Sequence, residues 1–183
     1  MTQEDQDRFP PLSITLRNGA AATIRALQPG DGQALGDFFE AVPRRDVRFY
    51  CPYPLTREQA AKNAAAAGSP LEVVLVLDQA EHGIGGYAWF RWQAGAERST
   101  FGICIRPGLQ GCGAGTALMT RLLEIARQAG PPVMSLTVQK ANGKAVELYR
   151  KMGFAIIRDQ VRGAFAEFPD EPEYFMERRV RTI

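Results

Sequence analysis

The sequence predicts one layered domain mixing helices and strands, with antiparallel strands first and a strand–helix–strand–helix unit behind them. Three observations carry this. Short apolar alternations separated by turn residues recur through the first hundred positions around two helical stretches, a strand runs through a glycine-rich turn into a helix near residue 114, and a second strand–helix pair follows. The chain has 183 residues, 45% of them hydrophobic, which supplies one substantial core and not two large ones.

Each element has a local cause. Residues 1–11 are expected to be a disordered lead ending in Pro10-Pro11, with a single domain over residues 12–183. Ser13 to Arg17 alternates as a strand and meets Asn18-Gly19, a hairpin signal, with the return strand over Ala22 to Leu27. Asp31 is placed to cap a helix bearing Leu35, Phe38, Phe39 and Val42, which Pro43 closes. Arg44 to Leu55, with two prolines and three aromatics, is expected to be an ordered loop. Thr56-Arg57-Glu58-Gln59 has the form of a capping box before an alanine-rich helix that Gly68-Ser69-Pro70 ends. Strands follow at Glu72 to Leu77, Gly85 to Trp92 and Ser99 to Arg106, then a helix over Ala114 to Ala129 with Leu118, Leu122 and Ile125 in its apolar stripe. Val133 to Val138 reads as a buried strand and Gly143 to Met152 as a helix with Gly153 at its C-terminal end. Strands at Ala155 to Arg158 and Tyr174 to Val180 finish the chain.

Composition narrows the function. The formal net charge is +2 and basic residues are scattered, so no nucleic-acid face is expected. The start is polar and acidic and no apolar run approaches about 18 residues, so neither a signal peptide nor a membrane partner is expected, and the cytoplasm fits. Cys51, Cys104 and Cys112 match neither a disulfide framework nor a paired metal site, and no metal is expected. His82, the only histidine, lies in a turn-like stretch and reads as a solvated residue.

The informative segment is Ile103-Cys104-Ile105-Arg106-Pro107-Gly108-Leu109-Gln110-Gly111-Cys112-Gly113-Ala114-Gly115-Thr116. Alternate glycines leave backbone N–H groups uncovered, and the helix that follows adds unpaired donors, so a diphosphate can approach closely. A tight strand-to-helix turn without a ligand reads the same residues. A P-loop is excluded because no lysine stands in Gly113-Ala114-Gly115-Thr116. A dinucleotide fingerprint is disfavoured by Thr116 and by Gln139-Lys140 after the next strand, where an acid belongs.

Gln110 to Thr116 resembles the pyrophosphate motif of the GNAT superfamily of N-acetyltransferases, Gln/Arg-x-x-Gly-x-Gly/Ala. Asn142, Ala145, Tyr149, Gly153 and Phe154 are similar to its second signature, one helix and one strand later. The opening third, with Leu16-Arg17-Asn18-Gly19, Phe38-Phe39 and Arg48-Phe49-Tyr50, is weakly similar to the acetyltransferase domain of Pat-type bacterial protein-lysine acetyltransferases. The resemblance implies an α+β domain of three layers, α/β/α, around a mixed, mostly antiparallel sheet. It implies acetyl-CoA as acyl donor, held by the backbone of Ile103, Cys104 and Ile105, by Gln110, Gly111, Cys112, Gly113, Ala114, Gly115 and Thr116, and by Asn142. Tyr149 would be the acid for the leaving thiolate, although it also fits an apolar stripe, and Asn142 also fits as a helix cap.

Many relatives carry a basic glutamate where this chain has Thr100. Thr100 or Glu97 is left as base or water-positioning residue, with Glu72 a further possibility. A non-catalytic acyl-CoA-binding domain is the competing class. The expected acceptor is a primary amine, either a protein lysine or a small amine or amino acid, lined by Phe49, Tyr50 and Tyr53. The acidic run Glu167, Asp170, Glu171 and Glu173 would attract cations or simply be solvated. A homodimer is compatible with this reading.

Overall fold

The structure is a computed structural model that describes residues 1–50 and 52–181. Its helices are α1 (Gln3–Arg8), α2 (Gly32–Glu40), α3 (Arg44–Val47), α4 (Arg57–Ala65), α5 (Ala114–Ala126) and α6 (Gly143–Lys151). Its strands are β1 (Leu12–Thr15), β2 (Ala21–Ala26), β3 (Glu72–Gln79), β4 (Gly83–Arg91), β5 (Arg98–Ile105), β6 (Val133–Gln139), β7 (Ala155–Arg162) and β8 (Glu171–Arg179). They form one sheet in the order β1-β2-β3-β4-β5-β6-β8-β7. Every neighbouring pair is antiparallel except β5–β6.

Both faces are covered, so the α/β/α layering stands. On one face Leu118, Met119, Leu122 and Ile125 of α5 are fully buried with Leu77, Phe90, Met134 and Met176 from the sheet. On the other, Leu35, Phe38 and Phe39 of α2 pack with Val74, Val76, Tyr87 and Trp89. Each such side chain contributes about 1.5–3 kcal/mol of transfer free energy relative to exposure.

Local signals set most boundaries. Gly19 takes φ 82° in the β1–β2 turn, and the Asn18 side-chain carbonyl accepts from the Ala20 N–H at 3.2 Å. The Thr56 hydroxyl accepts from the Gln59 N–H at 3.2 Å, but the Gln59 amide turns to Asn63, so only half of the capping box forms. Asn142 caps α6, accepting from the Ala145 N–H at 3.4 Å, and Gly153 ends it at φ 82°.

In the stretch expected as a lead, Thr2 and Asp5 form a capping box for α1, and Met1 is buried with its amine donating to the Ser69 and Glu72 carbonyls. Three expectations are corrected. Asp31 stands before α2 but does not cap it, because Arg25 and the Gln28 N–H take both carboxylate oxygens at 2.7–2.9 Å. The Arg44–Leu55 stretch contains the short α3. Finally, β8 begins at Glu171 rather than Tyr174, because Glu171, Pro172 and Glu173 pair with Arg162, Val161 and Gln160 of β7.

Candidate active site

The site arises where the sheet splits. β5 and β6 pair only through Arg98↔Val133, Ser99↔Met134 and Thr100↔Ser135. Beyond them β5 stays bound to β4 as far as Ile105, and β6 to β8 as far as Gln139. The two arms therefore separate, leaving one edge of β5 from Phe101 to Ile105 without a strand beside it. Such an edge offers backbone donors and acceptors to an extended ligand.

A cavity of about 320 Å³ fills the split. Strand alternation sorts its lining into two sides. Phe101, Ile103, Leu136 and Tyr149 face the α5–α6 side, where they join or border that core. Thr100, Gly102, Ser135, Thr137 and Gln139, with Phe175 and Glu173 opposite them on β8, face the α2–α4 side. Trp89 closes that side over Gly102, where an added Cβ would stand 2.5 Å from the indole. Glycine at 102 thus lets the indole lie flat on β5.

Tyr149 lies on α6, seven residues after its cap and so on the same helix face as Asn142. Its ring meets Phe101 edge-on with centroids 5.9 Å apart. Burial, reinforced by the Cys104 thiol, raises its pKa well above the ordinary phenol range, so it keeps its proton at neutral pH. Burial, with Asp46 adding to it, also pushes the Cys104 thiol up to about 12, which removes the thiolate an acyl-cysteine route needs.

The glycine-rich turn sits at the mouth of the α5–α6 side. Gly111 and Gly113 take φ 76° and 93°, and Gly113 precedes α5 with no side chain capping the first turn. Gln110 donates to the Ile105 carbonyl at 3.1 Å, tying the turn to the open edge of β5. Arg17 binds the Cys112 carbonyl through its N–H at 2.9 Å, and its Nε stands 3.5 Å from where a Gly113 Cβ would be. Gly115 brings α6 close, since a Cβ there would meet Leu148 at 3.3 Å. Ala114 is buried, Cys112 half-buried and Thr116 exposed on the first turn of α5.

Of the residues expected to hold an acceptor, Phe49 and Tyr50 line the cavity, and Tyr53 does not. Tyr53 braces them instead. Its hydroxyl lies 3.1 Å from that of Tyr50 and 2.9 Å from that of Tyr87, and Asn63 donates to it at 3.1 Å. Trp89 Nε1 donates to the Tyr50 hydroxyl at 2.7 Å. Of the two residues proposed for the base, Thr100 lines the cavity, whereas Glu97 stands exposed before β5 and outside it. Glu72 ion-pairs with Arg91 at 3.8 Å, also outside the cavity lining.

Sequence reasoning missed Trp89, Ser135, Thr137, Gln139, Arg162 and Phe175 as lining, and saw Glu173 only as part of an acidic loop. Glu173 is 4% exposed within β8, and among the described residues its side chain has one hydrogen bond, from the Gln160 amide at 2.6 Å. Its neighbour Glu171 is neutralised by Arg48 at 2.9 Å and Arg162 at 3.1 Å. The alternation Glu171-x-Glu173-x-Phe175 was the available signal, hidden by Pro172. Among the described residues no group of His, Cys, Asp or Glu is arranged to hold a metal ion, and no helix is long and apolar enough to cross a membrane.

The split thus joins a free strand edge to a glycine turn and an uncapped helix start, with a buried phenol lining the cavity. Residues 38–154 match the model of the Acetyltransferase (GNAT) family, and the chain belongs to that family as an N-acetyltransferase using acetyl-CoA. It is 35% identical over 163 residues to streptothricin acetyltransferase of Streptomyces lavendulae, covering 78% of this chain and 86% of that one. A GNAT-family acetyltransferase from Streptococcus pneumoniae superimposes with a TM-score of 0.69 at 27% identity, over 85% of this chain and 97% of its own. The GNAT domain of S. lividans PAT superimposes with a TM-score of 0.73 over 92% and 96% of the two chains, at 18% identity, a likeness of fold.

Proposed function

We propose that the acceptor is a primary amine carried on a small molecule, acetylated within the split between β5 and β6. The observation that carries this is the lining of the cavity's α2–α4 side. Phe49, Tyr50, Trp89 and Phe175 offer apolar and π surface to an alkyl stem, and Glu173 offers charge to its ammonium. The 35% identity to a streptothricin acetyltransferase supports a small-molecule acceptor over a protein lysine.

In this reading acetyl-CoA supplies the acyl group as a thioester. The Gln110–Thr116 turn and the start of α5 bind its diphosphate, Arg17 adds a cation beside Gly113, and the free edge of β5 at Ile103, Cys104 and Ile105 holds the extended arm. An N–H of that edge polarises the carbonyl. Asn142 fixes the start of α6, and Tyr149 gives the departing thiolate a proton. The Thr100 hydroxyl, on the acceptor side of β5, is placed to hold a water near the amine.

The test is thiol release from acetyl-CoA against amino acids, polyamines, aminoglycosides, streptothricin-type amines and lysine peptides, with labelled acetyl-CoA and cell extract in parallel. Turnover confined to small amines is expected. Label appearing only on proteins overturns the acceptor class, and binding of acetyl-CoA without turnover on any amine overturns catalysis.

A further inference from the structure

The structure assigns Glu173 a role that no residue of β5 fills: we propose that its carboxylate receives the acceptor's ammonium and takes its proton. The inference rests on the amine-acceptor reading above and adds to it the residue and the charge state of the substrate.

Three observations converge on this side chain. Glu173 is 4% exposed and lines the cavity. It faces the acceptor side by register, opposite Gln139 of β6, whose own neighbours along that face are Thr137 and Ser135. Among the described residues it makes no ion pair: its one partner is the neutral Gln160 amide, at 2.6 Å on one oxygen. The contrast with Glu171 is informative. Two residues away, that carboxylate is bound by both Arg48 and Arg162. Arg162 lines the same cavity: its terminal nitrogens are taken by Glu171 and by the Gly163 and Pro169 carbonyls, and its buried Nε makes no hydrogen bond to Glu173 or to any other described residue. A buried carboxylate without a cation is unfavourable, and an incoming ammonium removes the deficit. The cavity is therefore complementary to a cationic amine.

The position also answers a chemical need. An alkylammonium, with pKa about 10.4, must lose a proton before it can attack. Thr100, which lines the cavity from β5, has no group able to take that proton. Glu173 supplies a carboxylate from the other arm of the split. The proton balance closes as follows. One ammonium proton passes to Glu173 and then to solvent. The amine nitrogen bonds the acetyl carbon as the carbon–sulfur bond breaks, and the thiolate takes the Tyr149 proton. The proton that nitrogen sheds on becoming an amide returns to Tyr149. The products are the acetamide, free CoA thiol and one proton.

The experiment compares the full-length protein with Glu173→Gln and Glu173→Asp on two nucleophiles, the best cationic amine from the panel and hydroxylamine, which is uncharged at neutral pH. The amide in Glu173→Gln still accepts from Gln160, so melting temperature and acetyl-CoA affinity should match the parent. Turnover of the cationic amine should fall about 10²-fold, with hydroxylamine spared by at least about ten-fold relative to it. Glu173→Asp should recover part of the cationic turnover. Equal turnover in parent and Glu173→Gln overturns this inference while leaving the acceptor reading intact. Equal loss on both nucleophiles, with a lowered melting temperature, assigns Glu173 a structural role and also overturns it. A parent that binds acetyl-CoA and acetylates neither nucleophile removes the acceptor reading, and this inference with it.

Discussion

In the proposed mechanism Tyr149 releases a proton from a setting that makes the proton hard to remove. Burial against Phe101 and Phe154 favours the neutral phenol. An ordinary thiol has a pKa near 8.5, so stepwise transfer from this phenol to a free thiolate runs uphill. Transfer becomes feasible as the carbon–sulfur bond breaks, with the amine nitrogen returning a proton to the oxygen. Tyr149→Phe keeps the ring and its aromatic contacts while removing that proton. Turnover should fall about 10²-fold, with acetyl-CoA affinity and melting temperature nearly unchanged. Parental turnover in the variant would reduce the tyrosine to packing. The same scale shows what a sequence conceals. The place of Tyr149 on the helix face that Asn142 begins was legible because their spacing is fixed within one helix. Glu173 was not, because its place depends on pairing with Gln139, a partner more than thirty residues away.

At the element scale, side-chain hydroxyls tie the stretch between α3 and α4 to the sheet: Trp89 donates to the Tyr50 hydroxyl, the Tyr50 and Tyr87 hydroxyls each bond that of Tyr53, and Asn63 of α4 donates to Tyr53 and Tyr87. Tyr53 is the central link, so Tyr53→Phe should leave Tyr50 less well held and cost Tyr50, Tyr87 and Asn63 one hydrogen bond each, while Asn63 still reaches the Tyr87 hydroxyl. A stability loss of about 1–3 kcal/mol is expected in denaturant titration. Acceptor KM should rise several-fold with kcat little changed, because Phe49 and Tyr50 line the cavity without touching the donor's turn. A fall in kcat with unaltered KM would place Tyr53 in the chemistry instead.

Elements whose cause is local were legible: the Asn18-Gly19 hairpin, the Thr56 and Asn142 caps, and the glycines whose positive φ shapes the turn into α5. Elements fixed by distant partners were not. α1 depends on Met1 reaching Ser69 and Glu72, and the start of β8 depends on β7 accepting a strand with Pro172 in it. Asp31 has the residue type of a cap, but Arg25 and the Gln28 N–H claimed its oxygens.

The whole molecule concentrates its neutral acids around the split. Tyr50, Tyr87 and Tyr149 all have pKa values raised above the phenol value of 10.0, burial being the largest cause in each, and Cys104 is pushed up to about 12 from 9.0. For groups with raised folded-state pKa values, the folded protein holds protons that the unfolded chain releases. Their stabilisation is fully present below about pH 9 and drains away as pH climbs through the unfolded values. Each group loses about 1.4 kcal/mol per pH unit above its unfolded pKa until its folded value is reached. Four groups together lose about 5 kcal/mol per unit, comparable with the 5–15 kcal/mol that typically holds a domain together. Melting temperature should therefore fall steeply between about pH 10 and 11.5. Phenolate absorbance of the buried tyrosines should appear in one step with loss of the near-ultraviolet dichroism of the aromatic cluster. Acetyl-CoA, which binds only the folded protein, should move that step to higher pH. Gradual phenolate formation centred near pH 10 with the dichroism intact would show that these phenols ionise within the folded protein, and the proton-tight environment assigned to Tyr149 would fall with it.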